Sequence, residues 1–235
     1  KRFFQRNARG DRRVITDISP FREGEELLIS IDFEAQKLAY DLMKDRKGSV
    51  VVIDLDDFSI PVAISTPSIS ANNLRDISSL QYQDLLNDPA RPLFNRAFMG
   101  LYPPASTIKP LLTVFALNNG YTNWDETIFD DGFFRFEEEE RVFNAWREGG
   151  HGLTDLKKAL VESSNPFFMN LSIRYEKNLF VEFLKSSSFG SKLCEDCYPH
   201  QFSPLIDDDW KYKNFGKELF KGDFINLGVG QGYML

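Results

Sequence analysis

The sequence predicts an α/β domain of the α+β type, an antiparallel sheet flanked by helices, and three observations lead there. A strand, a helix and a hairpin follow one another between Glu25 and Thr66. Later segments repeat apolar residues at helical spacing, each giving one face that needs a sheet or another helix to cover it. The chain has 235 residues, of which 42% are hydrophobic, enough for one large domain or one and a half smaller ones around a real core.

In chain order, "EELLISID" reads as a short apolar strand ending at Asp32. The following stretch places Phe33, Gln36, Leu38, Ala39, Leu42 and Met43 at roughly helical spacing, with Asp32 as N-cap and Gly48 as terminator. "SVVVIDL" and "IPVAIST" read as two strands joined by a polar turn at Asp56, Asp57 and Phe58. From Pro67 to Pro104, Asn, Asp, Ser and Pro abound and no apolar period persists, which predicts a long, partly ordered excursion toward a site. "IKPLLTVFALNNG" predicts a helix with Leu111, Leu112, Phe115 and Ala116 on its apolar face, closed by Asn119 and Gly120. The acidic run Glu137 to Glu140 reads as a solvated turn or edge. Two helical patterns follow, the first capped by Thr154 or Asp155 and the second accommodating Pro166 in its first turn. The segment "KGDFINLGVGQGYML" is Gly-rich and apolar and shows no helix terminator.

Charge and composition exclude several functions. A net charge of −7 argues against a nucleic-acid surface, which needs clustered Lys and Arg. The one basic cluster, "KRFFQRNARGDRR", reads as an exposed linker. No run of eighteen apolar residues exists, so no segment predicts a membrane span. Cys194 and Cys197 form C-x-x-C with His200 three residues on, but a zinc site needs further ligands and His151 is distant, so no metal is expected; two loop thiols are the default, with a disulfide the alternative in an oxidising compartment. Phe133, Phe134, Phe136, Phe143 and Trp146 are expected to pack beneath a cleft, and His151 to be a structural histidine in a Gly-rich loop. "GVGQGY" lacks the lysine and the βαβ context of a phosphate loop, and no cofactor is expected.

Two short motifs carry chemistry. Ser106 and Lys109 stand three apart at a helix start, on one face, where a lysine can take the hydroxyl proton. The lysine must be neutral for this, and apolar packing around Ile108, Leu111 and Leu112 can lower its affinity for the proton. Alone, the tetrapeptide also fits a helix cap followed by a surface lysine. About sixty residues on, Ser163-Ser164-Asn165 lies between two helical patterns, where a loop can aim a hydroxyl and an amide into a cleft. S-x-x-K followed by S-x-N is the ordered pair of the penicillin-recognising serine enzymes.

With these motifs, the stretches "EGEELLISIDFEAQKLA", "LLNDPARPLFNRAFMGLYPPASTIKP", "FNAWREGGHGLTDLKKALVESSNPFF" and "GDFINLGVGQGYML" resemble the class B penicillin-binding proteins, within them the penicillin-binding protein 2 group of cell elongation. The resemblance implies the penicillin-binding transpeptidase fold, with residues 1–20 a remnant of an N-terminal pedestal or linker region and 21–235 the transpeptidase domain. It implies Ser106 as the nucleophile toward a D-Ala-D-Ala stem peptide, Lys109 as its base, Ser163 as proton relay, and Asn165 holding the substrate amide and the lysine. Ser164, Gly230, Gln231 and Gly232 are further substrate-binding candidates. β-Lactam antibiotics and membrane proteins of an elongation complex are the other implied partners. An inner-membrane anchor outside this chain and a periplasmic site are implied as well. A β-lactam-binding sensor or scaffold and a serine β-lactamase or carboxypeptidase are the alternatives. Three departures stand out. Ala105 replaces the usual glycine, Asn165 stands where this group often has Asp, and a K-T-G-like strand is absent, so the chain reads as a fragment expected to have an incomplete sheet and impaired acylation.

Overall fold

A computed structural model describes residues 2–10, 12–17, 24, 26–75, 77–136, 140–192 and 203–235, and the chain divides into two compact units. Cys194, Cys197, His200 and the glutamates at 137–139 lie outside the described residues.

The first unit comprises Lys1–Leu42 and Val50–Ile64. Its opening is a hairpin, not only a linker: β1 (Arg2–Arg6) pairs antiparallel with β2 (Arg12–Asp17) around a turn in which Gly10 has φ 85°. Residues 26–32 are not the expected strand; Ser30 Oγ donates to the Ile60 carbonyl at 3.0 Å, and Asp32 N to the Pro61 carbonyl at 3.0 Å. α1 (Phe33–Met43) begins as expected, with Asp32 Oδ1 accepting Ala35 N–H at 2.8 Å. Gly48 does not terminate it. That residue opens β3 (Gly48–Val52), which pairs with β4 (Val62–Thr66), while α1 closes at Met43 with Arg46 N bonded to the Met43 carbonyl. The Gln36 side chain both donates to and accepts from Ala63 backbone, a two-point tie between helix and strand.

The second unit comprises Met43–Ser49 and Ser65–Leu235. The excursion after Pro67 is more ordered than its composition predicts, because polar side chains replace apolar periodicity as the source of order. It forms α2 (Ala71–Arg75), α3 (Ser79–Asn87) and α4 (Arg96–Met99). Ser78 and Gln81 make a capping box at α3. Arg96 is buried, and its guanidinium donates to the carbonyls of Ala90, Arg91 and Phe94, which satisfies a loop that has little apolar surface of its own.

A 3-10 turn (Ala105–Ile108) then leads into α5 (Lys109–Asn118). β5 (Thr127–Asp130) pairs antiparallel with β8 (Gly152–Asp155), and β6 (Phe133–Phe136) with β7 (Arg141–Asn144). The described strands thus form two-stranded pieces rather than one continuous sheet. Asp155, not Thr154, caps α6 (Leu156–Val161) through Lys158 N–H at 2.7 Å. α7 (Asn165–Ser172), α8 (Lys177–Ser186), α9 (Asp208–Phe215) and α10 (Lys221–Leu227) complete the unit. α10 occupies the Gly-rich segment that sequence patterning left unassigned.

The core of this unit is aromatic. Phe115 of α5 packs edge-on against Tyr175 (centroids 4.9 Å apart) and Phe180 of α8, and at a tilt against Phe183 of the same helix. Leu112 and Ala116 from α5, Leu156 and Ala159 from α6, Phe167, Phe168 and Leu171 from α7, and Ile225 from α10 are all fully buried with it. Phe134 and Phe136 join this core as expected, whereas Trp146 does not: it is 65% exposed, its ring 5.5 Å from that of His151.

Candidate active site

Three backbone devices bring the motif residues together. The first is the turn before α5. Pro110 sits at the first positions of the helix, where its missing N–H costs nothing, and the N-cap position falls to Ile108, which has no capping side chain. Ser106 lies one turn earlier in the 3-10 segment and is partly exposed, so its hydroxyl is not used as a cap and makes no hydrogen bond among the described residues. Ala105 has φ 50°, the left-handed conformation that glycine adopts without strain.

The second device is helical spacing. Lys109 shares the inward face of α5 with Leu112, Thr113 and Ala116 and is only 2% exposed. Its Nζ donates to the Ser163 carbonyl at 2.9 Å, to Ser163 Oγ at 3.1 Å and to Asn165 Oδ1 at 2.8 Å, and lies 5.2 Å from the centroid of the Phe168 ring. All three acceptors are neutral. Among the described residues no carboxylate compensates the buried ammonium, and burial lowers its pKa from 10.5 to about 8.

The third device presents those acceptors. Ser163 also adopts a left-handed conformation, φ 55°, between α6 and α7. Ser164 then turns inward: it is fully buried, its Oγ donates to Asp130 Oδ2 at 2.6 Å and accepts Phe167 N–H at the start of α7. Ser164 therefore cannot reach a substrate, contrary to the sequence expectation, because capping α7 and pairing with a buried carboxylate use its hydroxyl. Asp130 is itself fully buried and also accepts Gly132 N–H at 2.9 Å. Sequence reading missed Asp130, and its only local signal was the Asp-Asp-Gly turn it begins. Gly150 packs against that same turn so closely that a Cβ would stand 2.2 Å from the Asp130 carbonyl oxygen. His151 is part of this loop, as expected; its backbone N–H donates to the Asp130 carbonyl, Nδ1 lies 3.3 Å from Arg147 Nη1, and Nε2 is buried without a partner in the described residues.

Gly230 is placed differently from its expected role. It is buried, and its carbonyl accepts Ala105 N–H at 2.8 Å. A Cβ there would stand 2.1 Å from the Ala105 carbonyl oxygen, so Gly230 touches the serine turn and not open cleft. Gln231 and Gly232 are exposed. Lys109, Ser163 and Asn165 are thus joined by hydrogen bonds between α5 and the α6–α7 turn, and Ser106 stands one turn before Lys109 on the segment tied to Gly230, while no group of acidic, His or Cys side chains suited to a metal occurs among the described residues. The arrangement supplies a free hydroxyl on a strained turn and a buried amine easily deprotonated, the parts needed for nucleophilic acyl transfer.

Residues 48–234 match the family model for the penicillin binding protein transpeptidase domain. The chain is 36% identical over 215 residues to the peptidoglycan D,D-transpeptidase MrdA of Haemophilus influenzae, covering 91% of this chain, and 34% identical over 230 residues to that of Escherichia coli K12, covering 97%. It spans about a third of the length of these curated relatives, 33% and 36%. Among solved structures it resembles Pseudomonas aeruginosa PBP2 in complex with WCK 5153, with a TM-score of 0.81, 29% identity, and coverage of 88% of this chain and 47% of that one. It also resembles Helicobacter pylori PBP2 in its complex with MreC, with a TM-score of 0.82, 28% identity, and coverage of 99% of this chain and 43% of the other.

Proposed function

The chain belongs to the penicillin-binding protein transpeptidase family, and on that premise we propose that it carries the acylation centre of a peptidoglycan D,D-transpeptidase acting in cell-wall elongation. The observation that carries this reading is the buried Lys109, bonded to Ser163 and Asn165 and held near pKa 8 one helical turn from an uncapped Ser106.

In this mechanism the neutral fraction of Lys109 takes the Ser106 proton as Oγ attacks the carbonyl of the penultimate D-Ala of a stem peptide. The positive end of α5 favours the oxyanion that develops. When the bond to the terminal D-Ala breaks, the proton passes from Lys109 through the Ser163 hydroxyl to the departing amine, leaving an ester on Ser106. An amino group of a neighbouring strand then attacks that ester, a new amide bond forms, and Ser106 recovers its proton. Asn165 holds Lys109 with its carbonyl oxygen, leaving its amide NH2 to donate to the substrate peptide. Gln231 and Gly232, exposed beside the serine turn, are proposed to border the substrate. β-Lactams would acylate the same serine.

We read residues 1–20 as pedestal region and 21–235 as the transpeptidase domain, within which residues 48–234 match the family model. No described helix is long and apolar enough to cross a membrane. We read the domain as the periplasmic part of a membrane-anchored protein that works with elongation proteins, and the likeness to a PBP2 solved with MreC supports that partner class.

The test is incubation with a stem pentapeptide ending in D-Ala-D-Ala plus an amino acceptor. Release of D-Ala with a cross-linked product is expected. Continued release without cross-linking would make the protein a carboxypeptidase, and a single D-Ala released per protein molecule with a stable acyl-enzyme and no turnover a sensor.

A further inference from the structure

Two lysines are buried among the described residues, and the second, Lys211, stands outside the chemistry above. It projects from α9, is 2% exposed, and its Nζ donates to Oδ2 of the equally buried Asp223 at the start of α10. The same carboxylate oxygen accepts Phe220 N–H at 3.0 Å. The ammonium also lies 4.3 Å from the centroid of the Phe220 ring and 5.4 Å from that of Tyr233. Phe220 precedes α10, and Tyr233 follows the Gly230–Gly232 loop. One cation therefore grips both ends of the segment 220–233.

The middle of that segment is what meets the nucleophile. α10 runs through the bonds Gly228 N to Phe224 O, Gly230 N to Leu227 O and Gln231 N to Asn226 O, and Gly230 then accepts the Ala105 N–H one residue before Ser106. The Gly230–Ala105 contact is backbone on backbone, with no room for a side chain, so any drift of the segment passes directly into the serine turn. A buried ion pair is a poor source of net stability, since desolvating both charges offsets most of their attraction, whereas it fixes registry well.

We propose that Lys211 is a positioning residue for Ser106: by clamping Phe220, Asp223 and Tyr233 it holds the Gly230 carbonyl where it fixes the left-handed Ala105 and hence the serine hydroxyl. The inference rests on the reading of Ser106 as nucleophile.

The experiment measures saturation kinetics of acylation by a fluorescent penicillin, together with amide hydrogen exchange at Ala105. Lys211→Met combined with Asp223→Leu removes both charges and so leaves neither uncompensated. The rate constant of acylation at saturation is expected to fall at least about tenfold, with the half-saturating concentration within about twofold and the Ala105 amide exchanging faster. Tyr233→Leu, which keeps the ion pair, gives the same signs with smaller size, and Tyr233→Phe restores the parent rate. Unchanged saturation rate and Ala105 exchange in folded double variant would overturn the proposal; should that variant not fold, an unaltered Tyr233→Leu does so alone. A Ser106→Ala control that still forms the adduct defeats the nucleophile reading instead, and Ala105 exchange continues to report the clamp separately.

Discussion

With its pKa near 8, about a tenth of Lys109 is neutral at pH 7 and half at pH 8. Since only the neutral amine accepts the Ser106 proton, acylation should rise about tenfold per pH unit below 8 and level off above it. Stopped-flow acylation between pH 6 and 9 checks this, and Lys109→Arg, whose guanidinium keeps its proton, should lose about 10²–10⁴-fold on the plateau above pH 8 and lack the rise below it. Ala105 offers a second test. Its φ of 50° strains a residue with a Cβ, so Ala105→Gly should stabilise the protein by about 1 kcal/mol in denaturant titration. The S-x-x-K spacing announced a pair, yet only burial distinguishes a base from a surface lysine. That burial was foreseeable from Lys109 sharing the i, i+3, i+4 and i+7 face with Leu112, Thr113 and Ala116.

The turn between α6 and α7 works because one of its two serines faces out and the other in. Ser163 presents its hydroxyl and carbonyl to Lys109, while Ser164 anchors the start of α7 to Asp130. Ser164→Ala should cost about 2–3 kcal/mol, since it removes a helix cap and leaves a buried carboxylate short of a donor. Thermal melting measures that loss, and Ser163→Ala, whose hydroxyl is not part of a cap, should melt close to the parent. Sequence could not assign these two roles, because adjacent serines differ here only by φ 55° at Ser163. α1, α5 and α6 were legible from spacing and caps. α10 and the helices of the 67–104 excursion were not, the former because Gly222, Gly228 and Gly230 mask a helical run, the latter because the Ser78–Gln81 capping box, the Asn95 cap and the buried Arg96 support them instead of an apolar face.

Across the second unit, the aromatic cluster around Phe115 connects the helix carrying Lys109 to α8 and to the turn at Tyr175. Phe115→Ala should destabilise by about 3–5 kcal/mol, read from the denaturation midpoint, because a ring that is 1% exposed leaves a cavity that several neighbours cannot close. The α+β class was visible in the helix and hairpin between Phe33 and Thr66, although the strand expected before α1 does not form, and how the later strands group depends on long-range pairing such as β5 with β8, which no local pattern reports. What unites these features is a serine left free on a turn braced by Gly230, one helical turn before a buried lysine that gives up its proton readily. Intact-protein mass spectrometry after incubation with a penicillin tests that most directly. The account predicts a single adduct of the intact penicillin's mass, mapped to Ser106 and absent from Ser106→Ala; no adduct, or one that persists in that variant, would contradict it.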